Sequence, residues 1–190
     1  MQEKQSFLIE EKLQGQEFSL HCFSDGTHCL PMPAVKDFKR AYPYDRGPNT
    51  GSMGSISDAN HRLPFLSEEQ IKQAHVINQT LLDAVQTKYQ KPYKGILYGS
   101  FMATKDGVKL IEFNARFGDP EALNLLALLE TDFVSLCEDL IDGALGRTPI
   151  GFSPLATVCK YAVPRGYPEQ PLINEELDYS LCGYSCEREQ

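Results

Sequence analysis

The sequence predicts an α+β fold, a mainly antiparallel sheet with helices packed on it. Three observations carry that expectation. Asp106-Gly107 separates two apolar runs, and Asp25-Gly26 marks a similar turn; Asp-Gly between apolar runs is a strong hairpin signal because both residues tolerate positive φ. Ser67-Glu68-Glu69-Gln70 has the capping-box pattern ahead of a helical apolar period. Residues 122–129 are almost wholly apolar, which predicts a buried helix.

Taken in order, residues 1–5 are polar, and residues 6–11, 17–23 and 28–32 read as the strands of a meander. A long helix is expected from Ser67 to residue 89. Ile71, Ala74, Leu81 and Val85 fall near one face, His75 reads as a packing residue, and Pro92 stops the helix. Residues 96–103 and 110–114 form the hairpin around Asp106-Gly107. Asp119 suits an N-cap, Pro120 the first helical position, and Glu121 the positive end of the helix dipole. A further helix, capped by Thr131 or Asp132 and ended by Gly146, is expected to reach residue 144. Residues 148–155 have linker composition, and residues 156–163 read as a strand.

The 190 residues carry a net charge of -8, which argues against a general nucleic-acid binder. No apolar run reaches the roughly 20 residues that span a bilayer, and no signal-peptide pattern opens the chain. Of the six cysteines, Cys22, Cys29, Cys137, Cys159, Cys182 and Cys186, none forms a Cys-x-x-Cys pair. All are expected to be reduced thiols in a cytoplasmic protein.

The chemistry concentrates in residues 109–121. Alternation along the second hairpin strand places Glu112 and Asn114 on one face and Ile111 and Phe113 on the other. A carboxylate beside an amide oxygen suits Mg²⁺, which keeps several waters and is shared with phosphates. The same pair on a hairpin is also a common solvated strand face. Arg116, in the turn beyond, can hold a carboxylate or phosphate in a bidentate grip. Lys36, Lys39 and Arg40 cluster in an otherwise acidic chain. Gly47-Pro48-Asn49-Thr50-Gly51 is a loop by composition, whose glycines allow backbone N–H groups to converge on an anion.

Ile111-Glu112-Phe113-Asn114-Ala115-Arg116-Phe117-Gly118-Asp119-Pro120-Glu121 closely resembles the metal-binding strand and turn of the phosphoribosylamine–glycine ligase family, within the ATP-grasp superfamily. The Gly47–Gly51 loop resembles a second motif of that family, with Ser52 standing where the family has glycine. Phe38 stands in the position of a family histidine. The resemblance covers residues 6 to 170 and implies an ATP-grasp lobe over residues 1–147, then a linker and the start of a small β-rich domain over residues 156–190. It implies a fragment, with a further ATP-covering lobe of the same enzyme as its partner.

By that resemblance, Glu10, Glu11, Leu13 and Glu17 line the adenine and ribose site, with Phe101 and Ile111 sandwiching the base. Lys39 meets the ATP phosphates, and Glu112 and Asn114 hold Mg²⁺, or Mn²⁺ in its place. Asp37, Arg40, Asn49, Thr50, Gly51, Arg116 and Asp119 belong to the substrate end, Arg116 and Lys39 acting in catalysis. The implied substrates are glycine and 5-phosphoribosylamine, joined through glycyl phosphate in purine synthesis. Two other readings stay open, an ATP-grasp carboxylate–amine ligase with a changed acceptor and a degenerate nucleotide-binding remnant. A serine forced to positive φ at position 52 is expected to cost on the order of a kcal/mol or more.

Overall fold

The computed structural model describes residues 7–147 and 149–176. Its centre is a four-stranded antiparallel sheet in the order β2-β1-β7-β8, built from β1 (Gln16–Asp25), β2 (Cys29–Pro31), β7 (Lys94–Thr104) and β8 (Gly107–Asn114). The chain is α+β as expected. Between β2 and β7 it forms β3 (Lys36–Asp37), β4 (Arg40–Tyr42), β5 (Arg46–Asn49), β6 (Gly54–Ser57) and α1 (Glu68–Tyr89). After β8 come α2 (Glu121–Leu128), α3 (Phe133–Asp142) and β9 (Thr157–Lys160).

The ladder between β1 and β7 is continuous from Gln16↔Ala103 to Asp25↔Lys94. Alternation along it sorts the side chains. Phe18, Leu20 and Cys22 face α1, with Phe18, Leu20, Ala74, Leu66 and Phe101 in one buried cluster. Glu17, Ser19, His21 and Phe23 face the other way. The far end of that second face is sealed by α2 and α3, where Phe23 and Val35 pack with Leu125, Leu136 and Leu140. Its near end, around Glu17, stays open.

Helix α1 starts where the sequence places it. Ser67 Oγ accepts from Gln70 N, and the Gln70 side chain returns to Ser67 N, closing the capping box. Such a cap stabilises a helix by about 0.5–2 kcal/mol. Gln90 ends the helix in the left-handed conformation, two residues before Pro92. Asn78, fully buried on α1, donates to Leu20 O at 3.1 Å. A Cβ at Gly99 would lie 2.5 Å from Asn78 Oδ1, so glycine there lets helix and sheet approach. His75 is a packing residue as expected, its Nε2 lying 2.8 Å from Cys29 O.

Several expectations are corrected. Residues 7–14 are irregular and exposed, not a strand; Phe7, Leu8 and Ile9 are 85%, 80% and 83% accessible. They run before β1 with no strand partner among the described residues, so no ladder holds them extended. Asp119 does not cap α2: Pro120 occupies the cap position without a side-chain bond, and Asp119 Oδ1 accepts from the Tyr161 hydroxyl at 2.8 Å. Helix α2 is buried on one face only, since Leu123 and Leu126 are exposed. Asp132 caps α3, accepting from Ser135 N at 2.8 Å, and Gly143 ends it, before the expected Gly146.

Strand β9 lies beyond the expected linker, yet it pairs with β6 from Gly54↔Lys160 to Ser57↔Thr157. Asn124 of α2 braces the junction, donating to Thr157 O at 3.2 Å and bonding Ser55. The segment is thus tied through β9 to the second sheet, β3-β6-β9. Residues 177–190, with Cys182 and Cys186, lie outside the described residues. Cys22, Cys29, Cys137 and Cys159 are free thiols.

Phe101 is fully buried and stacks on Phe18 with ring centroids 5.5 Å apart. Phe101→Ala is expected to lower unfolding free energy by about 3–5 kcal/mol in urea denaturation, as for a large core aromatic. A loss below about 1 kcal/mol would contradict its core placement.

Candidate active site

The β7–β8 ladder contains one irregularity. Ser100 pairs with Glu112 and Phe101 with Leu110, so Ile111 is the extra residue of a bulge. A bulge re-aims the side chains around it. Ile111 therefore does not share the face of Phe113, as strict alternation predicts. Phe113 packs towards Leu82 and Leu97 under α1, whereas Ile111 lines a cleft with Glu17 and Met102. Glu112, opposite Ser100, and Asn114, opposite Tyr98, lie on one face as expected. Asn114 Nδ2 donates to Glu112 Oε1 at 3.2 Å, which fixes the two side chains beside each other.

The open end of the sheet forms the floor of two adjoining cavities. One, of about 400 Å³, is lined by Glu10, Glu11, Leu13, Glu17, Met102 and Ile111, among others. The other, of about 630 Å³, shares Leu13, Glu17 and Met102 and adds Asp37, Lys39, Arg40 and Asn49. Lys39 Nζ lies 3.8 Å from Glu17 Oε2, both half-exposed, a loose pairing that leaves the ammonium available to an anion. Phe101, expected to face the base, does not reach the cleft because it belongs to the α1 face. Its neighbour Met102 lines both cavities instead.

The loop after β3 is held by its own backbone. Thr50 N and Oγ1 both donate to Lys39 O, at 2.7 and 2.9 Å, which fixes the chain at Lys39. Arg40 Nη1 donates to Gly47 O at 2.9 Å. Gly51 is exposed, with open space where a Cβ would stand. The expectation of strain at Ser52 is not met, because its φ lies outside the left-handed region. Its hydroxyl donates to Asp37 Oδ1 at 2.6 Å and accepts from Gly54 N at 2.9 Å.

At the turn after β8, Arg116 is exposed, and its Nη1 donates to Phe117 O at 2.8 Å. Asp119, tied to Tyr161, pushes that phenol up to about 12 through the hydrogen bond. Beneath the turn lies a buried polar layer that sequence reasoning missed. Gly118 N donates to His21 Nε2 at 2.9 Å. The Tyr98 ring stands edge-on to His21 at 4.7 Å. Glu121 is 2% exposed, and burial raises its carboxyl above the usual range. A Cβ at Gly118 would meet Glu121 Oε2 at 2.4 Å and the Tyr98 ring at 2.8 Å, so glycine lets the turn lie against both side chains. The one available signal was the parity of β1, which sets His21 on the same face as Glu17. Burial raises the Asp37 carboxyl as well, against the opposing pull of Ser52 and Lys39.

An antiparallel sheet with paired oxygen donors on a strand beside an open cleft, and a lysine at the cleft, is the arrangement the resemblance to ATP-grasp proteins implies. Residues 2–122 match the family described as phosphoribosylglycinamide synthetase, ATP-grasp (A) domain, and the chain belongs to that family. It is 51% identical over 170 residues to a phosphoribosylamine–glycine ligase of Methanocella arvoryzae, covering 90% of this chain and 39% of that protein. A phosphoribosylamine–glycine ligase of Methanococcus maripaludis is 54% identical, with 90% of this chain and 38% of the relative covered. The crystal structure of phosphoribosylamine–glycine ligase from Thermotoga maritima superposes with a TM-score of 0.68 at 29% identity, over 86% of this chain and 40% of that one. The chain thus spans about two fifths of the length of these relatives.

The buried imidazole makes stability depend on pH. Burial, and then the charge of Arg116, bring His21 down from 6.5 to about 3. Below pH 6.5 the unfolded chain binds a proton that the folded chain refuses. The His21 contribution is therefore complete above 6.5 and is lost progressively as pH falls towards 3. His21→Gln is expected to flatten the decline in urea-unfolding free energy between about pH 7 and pH 4. Equal slopes for the two proteins would contradict this.

Proposed function

We propose that this chain supplies the metal- and phosphate-facing lobe of an ATP-dependent ligase that joins glycine to 5-phosphoribosylamine. The observation that carries the reading is the pairing of Glu112 with Asn114 on the strand next to the cleft that holds Lys39 and Glu17. The names of its relatives support the choice of substrates. Cytoplasm is the expected compartment, and no helix among the described residues is long and apolar enough to cross a membrane.

The donor set fits Mg²⁺ of one particular kind. Among the described residues no group of three or more His, Cys, Asp or Glu side chains could hold a metal ion. Glu112 offers one hard anionic oxygen, and a half-turn of the Asn114 amide offers a second, neutral one in place of its donor. Two protein oxygens suit an ion whose other positions go to nucleotide phosphates and water, the usual arrangement for Mg²⁺. When bound, the ion neutralises charge on the phosphates. Mn²⁺ would be accepted by the same oxygens.

The remaining residues position the reactants. Glu10, Glu11, Leu13 and Glu17, with Ile111 and Met102, form the wall for base and ribose. Lys39, its backbone pinned by Thr50, presents a point charge to the phosphates. Arg116 orients the glycine carboxylate for attack on the γ-phosphate, which breaks the β–γ phosphoanhydride bond and releases ADP, since its fork matches carboxylate geometry. The glycyl phosphate then meets the amine of phosphoribosylamine, and phosphate leaves. Asp37, Arg40, Asn49, Thr50, Gly51 and Asp119 surround the substrate end. The second wall of the nucleotide cleft comes from parts of the enzyme outside this segment. No covalent nucleophile is required, and positioning with charge neutralisation supplies the rate.

Phe38, 41% exposed beside the cleft, and the hydroxyl of Ser52 favour one second reading, a carboxylate–amine ligase with another acceptor. Isotope-labelled glycine and phosphoribosylamine, given with ATP to the complete polypeptide that carries this segment, separate the two. Labelled glycinamide ribonucleotide is expected; no product above background rejects the first reading. In the same assay Glu112→Ala is expected to lower kcat/KM by roughly a hundredfold or more, since metal stabilisation is worth several kcal/mol. An unchanged rate would remove Glu112 from the site.

A further inference from the structure

Ser52 does not line the cleft, but it touches a residue that does. Ser52 is 6% exposed; its hydroxyl accepts from Gly54 N at 2.9 Å and donates to Asp37 Oδ1 at 2.6 Å, the nearer of two acceptors, Gly54 O lying at 3.2 Å. The chain around it is anchored to β3's extension, with Met53 N donating to Phe38 O at 2.8 Å and Phe38 N to Gly54 O at 2.9 Å. Asp37 Oδ2 takes no side-chain hydrogen bond among the described residues, and Asp37 lines the larger cavity. An alanine at position 52 would leave Gly54 N without its acceptor and Asp37 free to turn.

We propose that Ser52 is a positioning residue: its hydroxyl clamps one oxygen of the Asp37 carboxylate to the turn before β6, so that the other oxygen faces a cationic group of the substrate in the cleft. The choice of a cationic group, such as the ammonium of an amino acid, rests on the function proposed above. The clamp itself rests only on the contacts around Ser52.

The clamp has an electrostatic consequence. Asp37 is half-buried, and desolvation opposes its charge. Glu17 from β1 and Glu121 from α2 add negative charge nearby, and the hydroxyls of Tyr98 from β7 and Tyr161 beyond β9 lie within its field. Lys39 and the Ser52 hydroxyl act the other way, favouring the carboxylate. Ser52 therefore keeps Asp37 ionised at lower pH than its surroundings alone would permit, because a donor to the charged form stabilises it.

The test is a side-chain carboxyl NMR titration of Asp37 in the wild-type chain, Ser52→Ala and Ser52→Thr, with circular dichroism to confirm folding. Ser52→Ala is expected to raise the Asp37 midpoint by about half to one pH unit, and Ser52→Thr, which keeps the hydroxyl, to restore it. An unmoved midpoint in folded Ser52→Ala, or no restoration by threonine, overturns the clamp. If Ser52→Ala does not fold, Ser52→Cys, with a weaker donor of similar size, takes its place and an unmoved midpoint again overturns it. Glycine affinity, followed over the same pH range in the complete enzyme, is expected to fall at higher pH in Ser52→Ala than in wild type. A shifted Asp37 midpoint with unshifted glycine binding keeps the clamp and rejects the substrate role of Asp37.

Discussion

The antiparallel ladder between β7 and β8 is the constraint on which the site depends. It gives Glu112 and Asn114 fixed partners, Ser100 and Tyr98, on a strand buried by the sheet behind it. A regular ladder would have sent Ile111 to the α1 face. The bulge inserts one residue, so the strand presents Ile111 to the cleft and still delivers Glu112 and Asn114 to the same side. Apolar wall and oxygen donors thus come from consecutive residues, and a shift of register by one would exchange both.

The second constraint is unequal cover of that face. Helices α2 and α3 seal the end around Phe23, and the loop of β3 to β6 approaches from the side through the bonds between Ser19 and Val35. The end around Glu17 and Met102 is left open, and the charged residues gather there. The transition between sealed and open ends is the layer of His21, Tyr98, Gly118 and Glu121. His21 is neutral there and accepts from Gly118 N, so the turn carrying Arg116 rests on an imidazole that cannot take up a proton without being released. The layer is not fully paired: with Nε2 accepting from Gly118 N, the proton sits on His21 Nδ1, which is buried without a partner among the described residues.

Much of this was legible in the sequence. Capping chemistry located α1, Asp106-Gly107 located the hairpin, and a period of two paired Glu112 with Asn114. What failed did so for physical reasons. The family resemblance alone points Phe101 at the base, whereas in the sheet Phe101 belongs to the α1 face and Met102 lines the cleft. A bulge leaves no local signature in residues 110–112. Residues 7–11 have strand composition, but composition supplies no partner. The apolar run of α2 predicts a buried helix, while the helix turns Leu123 and Leu126 outward. Ser52 carried an expectation of strain that depended on φ, which no single residue name reveals. His21 and Glu121 come together only through the corner at Gly118, a contact across 97 positions for His21.

The central claim is that a nucleotide-borne divalent ion sits against the Glu112–Asn114 pair, with Lys39 facing the same phosphates. Paramagnetic line broadening by Mn²⁺ and ATP, mapped over the backbone amides of the isotope-labelled protein, tests it most directly. Broadening centred on residues 112–114, extending to Lys39 and abolished by excess Mg²⁺, is the expected result. Broadening centred elsewhere, with residues 112–114 unaffected, would contradict it.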